Sequence, residues 1–200
     1  MTRLLAVNGS YRENGAIDQA VEVAAQAATE AGATVDIVTL REFPLEQCVG
    51  CDRCSRQPGE IPGDCMLKDH MLELIGKMEV ADGFILASPT NFYTTTAVFT
   101  RFMERLVAYT CRSWDAQPPP FGKQPLTKSA ILIASSDAPG LTGRIFFATL
   151  NELKRTARII GARPAGSVFI GLNARQEEHV LEDKTRLQLQ ELVDTLMRSR

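Results

Sequence analysis

The sequence predicts a doubly wound α/β protein: an open, five-stranded parallel sheet of order 2-1-3-4-5 with helices on both faces. Three observations carry this reading. Short apolar runs rich in β-branched residues recur along the chain, and most are followed by a stretch with apolar residues three and four apart. Most of the runs are apolar throughout, as strands buried on both faces must be. Strand–helix alternation builds a parallel sheet, and right-handed crossovers leave few topologies. Five strands favour order 2-1-3-4-5 over the six-stranded dinucleotide arrangement.

The elements follow in order. "RLLAVN" (3–8) is a short apolar run closed by Asn-Gly-Ser and reads as the first strand. Ile17, Val21, Ala24, Ala25 and Ala28 keep helical spacing until Gly32 ends it. "TVDIVTL" (34–40) alternates and is β-branched, giving a second strand. "GFILASP" (83–89) is the third, with a helix after it from about Thr95 to Thr110. "SAILIASS" (129–136) is the fourth, and a helix follows from about Arg144 to Ile160. "GSVFIGL" (166–172) is the fifth, and Leu189, Leu192, Val193, Leu196 and Met197 mark the apolar face of a last helix. The 200 residues suit one domain, interrupted by a cysteine-rich loop at 41–68 and a proline-rich loop at 113–128.

Composition narrows the function. A 44% hydrophobic, 23% charged chain is a folded protein, and a net charge of −2 gives no general attraction to nucleic acid or anionic membrane. No apolar run is long enough to cross a bilayer, and "MTRLLAVNGS" does not read as a signal peptide, so the expected location is the cytoplasm. Thiols are kept reduced there, and clustered cysteines read as metal-binding or redox-active.

Ligands of such sheets bind beyond the carboxyl ends of the strands, where the order reverses between the first and third. The loop after the first strand, "NGSYRENGA" (8–16), combines glycines, Ser10, Arg12 and Asn14 before a helix start. Backbone amides, a hydroxyl and a guanidinium make a pocket for a phosphate dianion. The simpler alternative is a turn with Asn14 capping the helix. Neither the dinucleotide fingerprint nor a P-loop is present. After the third strand, Pro89 fixes a turn, while Asn91, Phe92 and Tyr93 offer an amide and ring faces to a flat heteroaromatic ring. The run Thr94–Thr95–Thr96 supplies a cap, and Phe99, Phe102, Met103 and Leu106 read as core.

Together, "NGSYRENG", the cysteine segment ending "CMLKDHM" and "ADGFILASPTNFYTTTAVFTRFMER" resemble the NAD(P)H-dependent FMN reductase family of flavodoxin-like proteins, and within it the iron–sulfur flavoprotein branch. The resemblance runs from about residue 3 to 170. It implies an FMN phosphate held by Ser10, Arg12, Asn14, Gly15 and Ala16. It implies an isoalloxazine bordered by Pro89, Thr90, Asn91, Phe92 and Tyr93, and closed by "SSDAPG", that is Ser135, Ser136, Asp137 and the residues to Gly140. Asn91 and Phe92 depart from the family's usual aromatic and small residue there. The implied activity is an oxidoreductase taking electrons from NAD(P)H through FMN to a small acceptor such as a flavin or quinone. The alternative is an electron carrier serving a protein partner, against which the near-neutral charge weighs.

Cys48, Cys51 and Cys54 stand at iron–sulfur spacing, with ten residues separating Cys54 from Cys65. The resemblance implies a four-iron, four-sulfur cluster; a zinc site and no metal at all stay open. Cys111 reads as a small buried hydrophobe, His70 as structural beside Asp69, and His179 as solvated. Asp82 and Asp137 show no acid/base partner, which suits chemistry borne by a flavin. A homodimer or homotetramer is expected, with Trp114 and Phe121 of the proline-rich loop as candidates to cover a neighbour's site.

Overall fold

The computed structural model describes residues 1–57, 62–109, 125–171 and 180–198. Cys111, Trp114, Phe121 and His179, and most of the proline-rich loop, lie outside the described residues.

The five expected strands are present as β1 (Thr2–Asn8), β2 (Ala33–Thr39), β3 (Gly83–Pro89), β4 (Lys128–Ser135) and β5 (Ala162–Ile170), and they pair in the order β2-β1-β3-β4-β5. Every pairing is parallel. The register sets Leu4–Asn8 of β1 against Gly83–Ala87 of β3, and Gly83–Pro89 against Ser129–Ser135 of β4. Residues of β1, β3 and β4 turn alternately to the two faces, and both faces are covered. On one side β1 and β3 pack with α1 (Ala16–Glu30) and α6 (Asp183–Arg198), through Leu4, Ile17, Val21, Ile85, Leu189 and Val193. On the other lie α2 (Met71–Val80), α3 (Ala97–Arg105) and α5 (Thr149–Ile159), through Leu5, Met71, Leu74, Phe84, Phe99, Phe102 and Leu153. Phe99, Phe102 and Leu106 are core as the sequence predicts, while Met103 packs at the margin.

Three elements differ from the sequence reading. The helix expected over 144–160 is two helices, α4 (Gly140–Phe146) and α5, with Phe147 extended between them. The break has a tertiary cause: the Ala148 N–H donates to the Tyr93 carbonyl at 2.7 Å, and the Phe147 ring stands edge-on to Tyr93 at 5.3 Å. β5 starts at Ala162, four residues early, because an edge strand tolerates Pro164. The helix after β3 gives way to a 3₁₀ turn at Leu106–Tyr109.

Gly9, just past β1, packs directly on α3. A Cβ there would lie 2.8 Å from the Phe99 ring, while the Gly9 carbonyl accepts from Thr96 Oγ1 at 2.6 Å. Phe99 is fully buried and has nowhere to go. Gly9→Ala is therefore expected to cost about 1–3 kcal/mol of overpacking, read as a lower urea midpoint at unchanged slope.

Candidate functional site

Three rim loops converge above the β1–β3–β4 ends. They form a cleft of about 220 Å³ lined by Ser10, Tyr11, Arg12, Gly15, Ala16, Ile17, Pro89, Thr90, Asn91, Thr96, Ser135, Ser136 and Asp137. Ten of the fourteen residues expected from the sequence meet here; Asn14, Phe92, Tyr93 and Gly140 do not line it. Asn14 is in the left-handed region at φ 55° and does not cap α1; the cap is Gly15, with no side-chain hydrogen bond. Gly140 opens α4 and faces a separate cleft with Leu141, Arg144 and Phe169.

The loop 8–16 is held from behind by a buried carboxylate. Asp18 Oδ1 accepts from Asn8 Nδ2 at 2.6 Å, and Asp18 Oδ2 from the Asn14 N–H at 3.0 Å. Arg41 reaches across from the loop after β2 and pairs with both Asp18 oxygens at 3.1 Å. Burial works against the Arg41 charge, but Asp18 outweighs it and raises the guanidinium pKa. Within the loop, Asn8 Oδ1 accepts from the Ser10 N–H, and Ser10 Oγ accepts from the Arg12 N–H. Asp18, Arg41 and Asn8 escape sequence reading because each looks like an ordinary polar residue. The α1 start faces the cleft through Gly15, Ala16 and Ile17, so the positive end of a 15-residue helix meets whatever lies there. Amides, a hydroxyl and a guanidinium suit a phosphate.

The second loop is a tight turn. Asn91 and Thr94 exchange backbone hydrogen bonds of 2.8 and 3.0 Å, and Phe92 and Tyr93 between them take φ 45° and 66°. Side chains other than Gly, Asn and Asp rarely adopt such angles, so outside contacts must hold them. α5 provides these. Glu152 Oε2 accepts from Thr94 Oγ1, from the Thr95 N–H at 3.0 Å and from Thr95 Oγ1 at 2.9 Å. Thr90 and Thr149 share a hydroxyl hydrogen bond at 2.8 Å, and Thr96 caps α3 as expected, accepting from the Phe99 N–H. Phe92 is left 97% exposed, beside a second cleft of about 460 Å³ between this turn, α3 and Gln47.

The cysteine loop lies against α3. Cys54 is buried, Cys48 and Cys65 partly so, and Cys51 is exposed; all four are free thiols. Burial pushes the Cys54 thiol up, and the charges of Cys65, Cys48 and Cys51 add to it. Among the described residues, however, no three His, Cys, Asp or Glu groups converge as one ion requires. Four thiols in one segment are the donor type of a zinc ion and of an iron–sulfur cluster alike. His70 carries no cap hydrogen bond; its ring contacts Glu73 at 3.3 Å and Phe43 at 5.0 Å, in keeping with a structural role. Asp82 accepts from the Arg3 N–H at 2.8 Å.

The sheet order and covering helices define the flavodoxin-like fold, and solved structures agree. An azoreductase from Bacillus anthracis superposes with a TM-score of 0.68 at 16% identity, covering 98% of this chain and 99% of that one. A short-chain flavodoxin associated with a bacterial microcompartment gives 0.60 at 13% identity, covering 100% and 99%. The sequence pattern of the NADPH-dependent FMN reductase family matches residues 2–169, and the chain belongs to that family. Its relatives include an iron-sulfur flavoprotein of Archaeoglobus fulgidus, 30% identical over 103 residues, which are 52% of this chain and 48% of that protein. Another, from Methanocaldococcus jannaschii, is 31% identical over 103 residues, 52% of this chain and 51% of the relative. The match thus spans about half the length of these relatives. Among the described residues no helix is long and apolar enough to cross a membrane.

Glu152 generates a pH prediction. Burial opposes its charge, but the Thr94 and Thr95 donors outweigh this and hold the carboxyl below its usual range. A depressed pKa contributes stability that is complete above the unfolded value, about 4.3, and is lost as pH falls through the folded value. Glu152→Gln is expected to cost about 2 kcal/mol near neutral pH, with the gap to wild type fading below about pH 4 in urea titrations.

Proposed function

We propose that residues 1–200 form one FMN-binding domain whose activity is an oxidoreductase, taking electrons from NAD(P)H and passing them to a small acceptor, a flavin or quinone, or to a cluster on the cysteine loop. The observation that carries the reading is the cleft at the β1/β3 switch point, which joins a helix start without a side-chain cap to Ser10 and Arg12 on one side and a pinned turn on the other. Membership of an FMN reductase family supports it. Bound there, FMN would accept hydride from the nicotinamide and release electrons onward.

The chain's own residues bind and orient. Ser10, Arg12 and the amides of Gly15 and Ala16 would hold the phosphate. Pro89, Thr90, Asn91, Ser135, Ser136 and Asp137 would border the ring, with Tyr11, Ile17 and Thr96 as further contacts. Tyr11 is tied to this wall because its hydroxyl accepts from the Val98 N–H at 3.1 Å. Phe92, exposed at the turn tip, would meet the acceptor or a second subunit of a homodimer or homotetramer. The iron-sulfur names of the relatives favour a second reading, an electron carrier in which Cys48, Cys51, Cys54 and Cys65 hold a cluster and a protein is the acceptor.

Arg12→Ala is expected to weaken FMN about tenfold or more while leaving riboflavin, which lacks the phosphate, unchanged; fluorescence titration measures both. Equal loss for the two flavins would remove Arg12 from the phosphate site, and no binding of either by the wild type would end the flavin reading. An anaerobic visible spectrum with iron and sulfide analysis separates reductase from cluster carrier.

A further inference from the structure

A buried carboxylate beneath an anion's seat repels the anion unless a cation cancels it. The cleft has such a carboxylate. Asp18 is 7% exposed, at the third position of α1, directly after Ala16 and Ile17, which line the cleft. A single side chain stands between it and Ser10: Asn8 Nδ2 donates to Asp18 Oδ1, and Asn8 Oδ1 accepts from the Ser10 N–H at 2.9 Å. The cancelling cation comes from another loop. Arg41 spans both Asp18 oxygens at 3.1 Å and donates from Nη1 to the Ser10 carbonyl at 3.3 Å. One guanidinium therefore neutralises the carboxylate and holds Ser10, whose hydroxyl accepts from the Arg12 N–H at 3.1 Å. Glu42 also pairs with Arg41 Nη2 at 3.1 Å, but it is exposed, where solvent screens its charge.

Sheet register puts Arg41 in this place. Asn8 stands beside Thr39, and the Leu40 N–H donates to the Asn8 carbonyl at 2.8 Å, so residue 41 leaves β2 alongside the loop after β1. The chain beyond is clamped to α3. Arg101 Nη1 donates to the Leu45 carbonyl at 3.1 Å and Arg105 Nη1 to the Glu46 carbonyl at 2.8 Å, while both Arg105 Nη atoms pair with Asp69. Further along, a Cβ on Gly63 would lie 2.0 Å from the Cys54 carbonyl oxygen, so glycine alone permits that approach. Arg41 is thus the near end of a segment fixed to α3, and its fork reaches back to the wall of the cleft.

We propose that Arg41 is a positioning and specificity-determining residue of the cleft: by cancelling Asp18 and fixing Ser10 it lets the loop after β1 accept a dianion, and so sets affinity for the phosphate of FMN rather than for its ring. This rests on the FMN reading above. Arg12 lines the cleft, whereas Arg41 acts through Asp18 and Ser10. A lysine keeps the charge but cannot span two carboxylate oxygens and a carbonyl from one rigid fork.

The experiment compares wild type, Arg41→Lys, Arg41→Gln and the neutral pair Asp18→Asn/Arg41→Gln, with far-UV dichroism as the control of fold. Affinities for FMN and for riboflavin are measured by fluorescence titration, and the readout is their ratio, which a general loosening of the fold does not move. Arg41→Gln is expected to weaken FMN about tenfold or more and riboflavin less than about twofold, because the charge left on Asp18 acts on the phosphate. The neutral pair is expected to recover about half of that loss or more on a logarithmic scale. Equal losses for the two flavins, or a pair no better than Arg41→Gln, overturns the proposal. Should Arg41→Gln not fold, Arg41→Lys decides: it is expected to lose about threefold for FMN alone, and an unchanged ratio overturns the proposal. Failure of wild type to bind either flavin overturns the FMN reading and the phosphate role with it. Hydrogen exchange of segment 8–16 then decides whether Arg41 positions the loop: several-fold faster exchange in Arg41→Lys is expected, and an unchanged rate overturns it.

Discussion

Burial of the central strands on both faces is the constraint from which the site follows. Leu4–Val7 of β1, Phe84–Ala87 of β3 and Ala130–Ala134 of β4 are all essentially without solvent contact. A polar side chain placed among them would lose its hydration with no partner to replace it. Polar groups are therefore displaced to the strand ends, where Asn8, Ser88 and Ser135 are the first to appear, each still buried and each beginning a rim loop. Register then does the rest: Asn8 stands beside Ala87, Ser88 beside Ala134 and Pro89 beside Ser135, so the three loops leave the sheet at one level. Helices α1 and α3 depart to opposite faces at this point, and the crevice between them is the cleft.

Loops at such a rim are pinned from outside themselves. Asp18 and Arg41 hold the first, Glu152 and Thr149 the second, and Arg105 with Gly63 the cysteine segment. In each case one charged group makes several hydrogen bonds at once. Helix α3 joins two of these regions: its N-terminus is capped by Thr96 in the turn, and its last residue grips the cysteine loop. The cleft-lining turn and the cysteine loop therefore share a rigid element. The left-handed Phe92 and Tyr93 mark how firmly α5 holds the turn, since nothing local to that sequence favours those angles.

Strands were readable because a parallel strand buried on both faces needs an unbroken apolar run, and such runs are conspicuous in "RLLAVN", "GFILASP" and "SAILIASS". The cleft-lining loop after β1 was readable for a related reason: glycine, hydroxyl and arginine crowd between a strand and a helix where no core residue is wanted. The break at Phe147 was not readable. Residues 144–160 keep helical composition throughout, and only the Tyr93 carbonyl, 55 positions earlier, draws the Ala148 N–H out of the helix.

By itself the sequence determined the sheet, its order and the three loops that face the cleft, because these depend on patterns a few residues long. It also put four cysteines in one segment without deciding what they hold. Tertiary structure alone decided which charges matter. Asp18, Glu152 and Arg105 sit on helices at positions where a charge is ordinarily solvated, and their partners are 23, 57 and 36 residues away. A buried charge is recognised by its partners, and partners so distant in the chain meet only when the sheet brings them together.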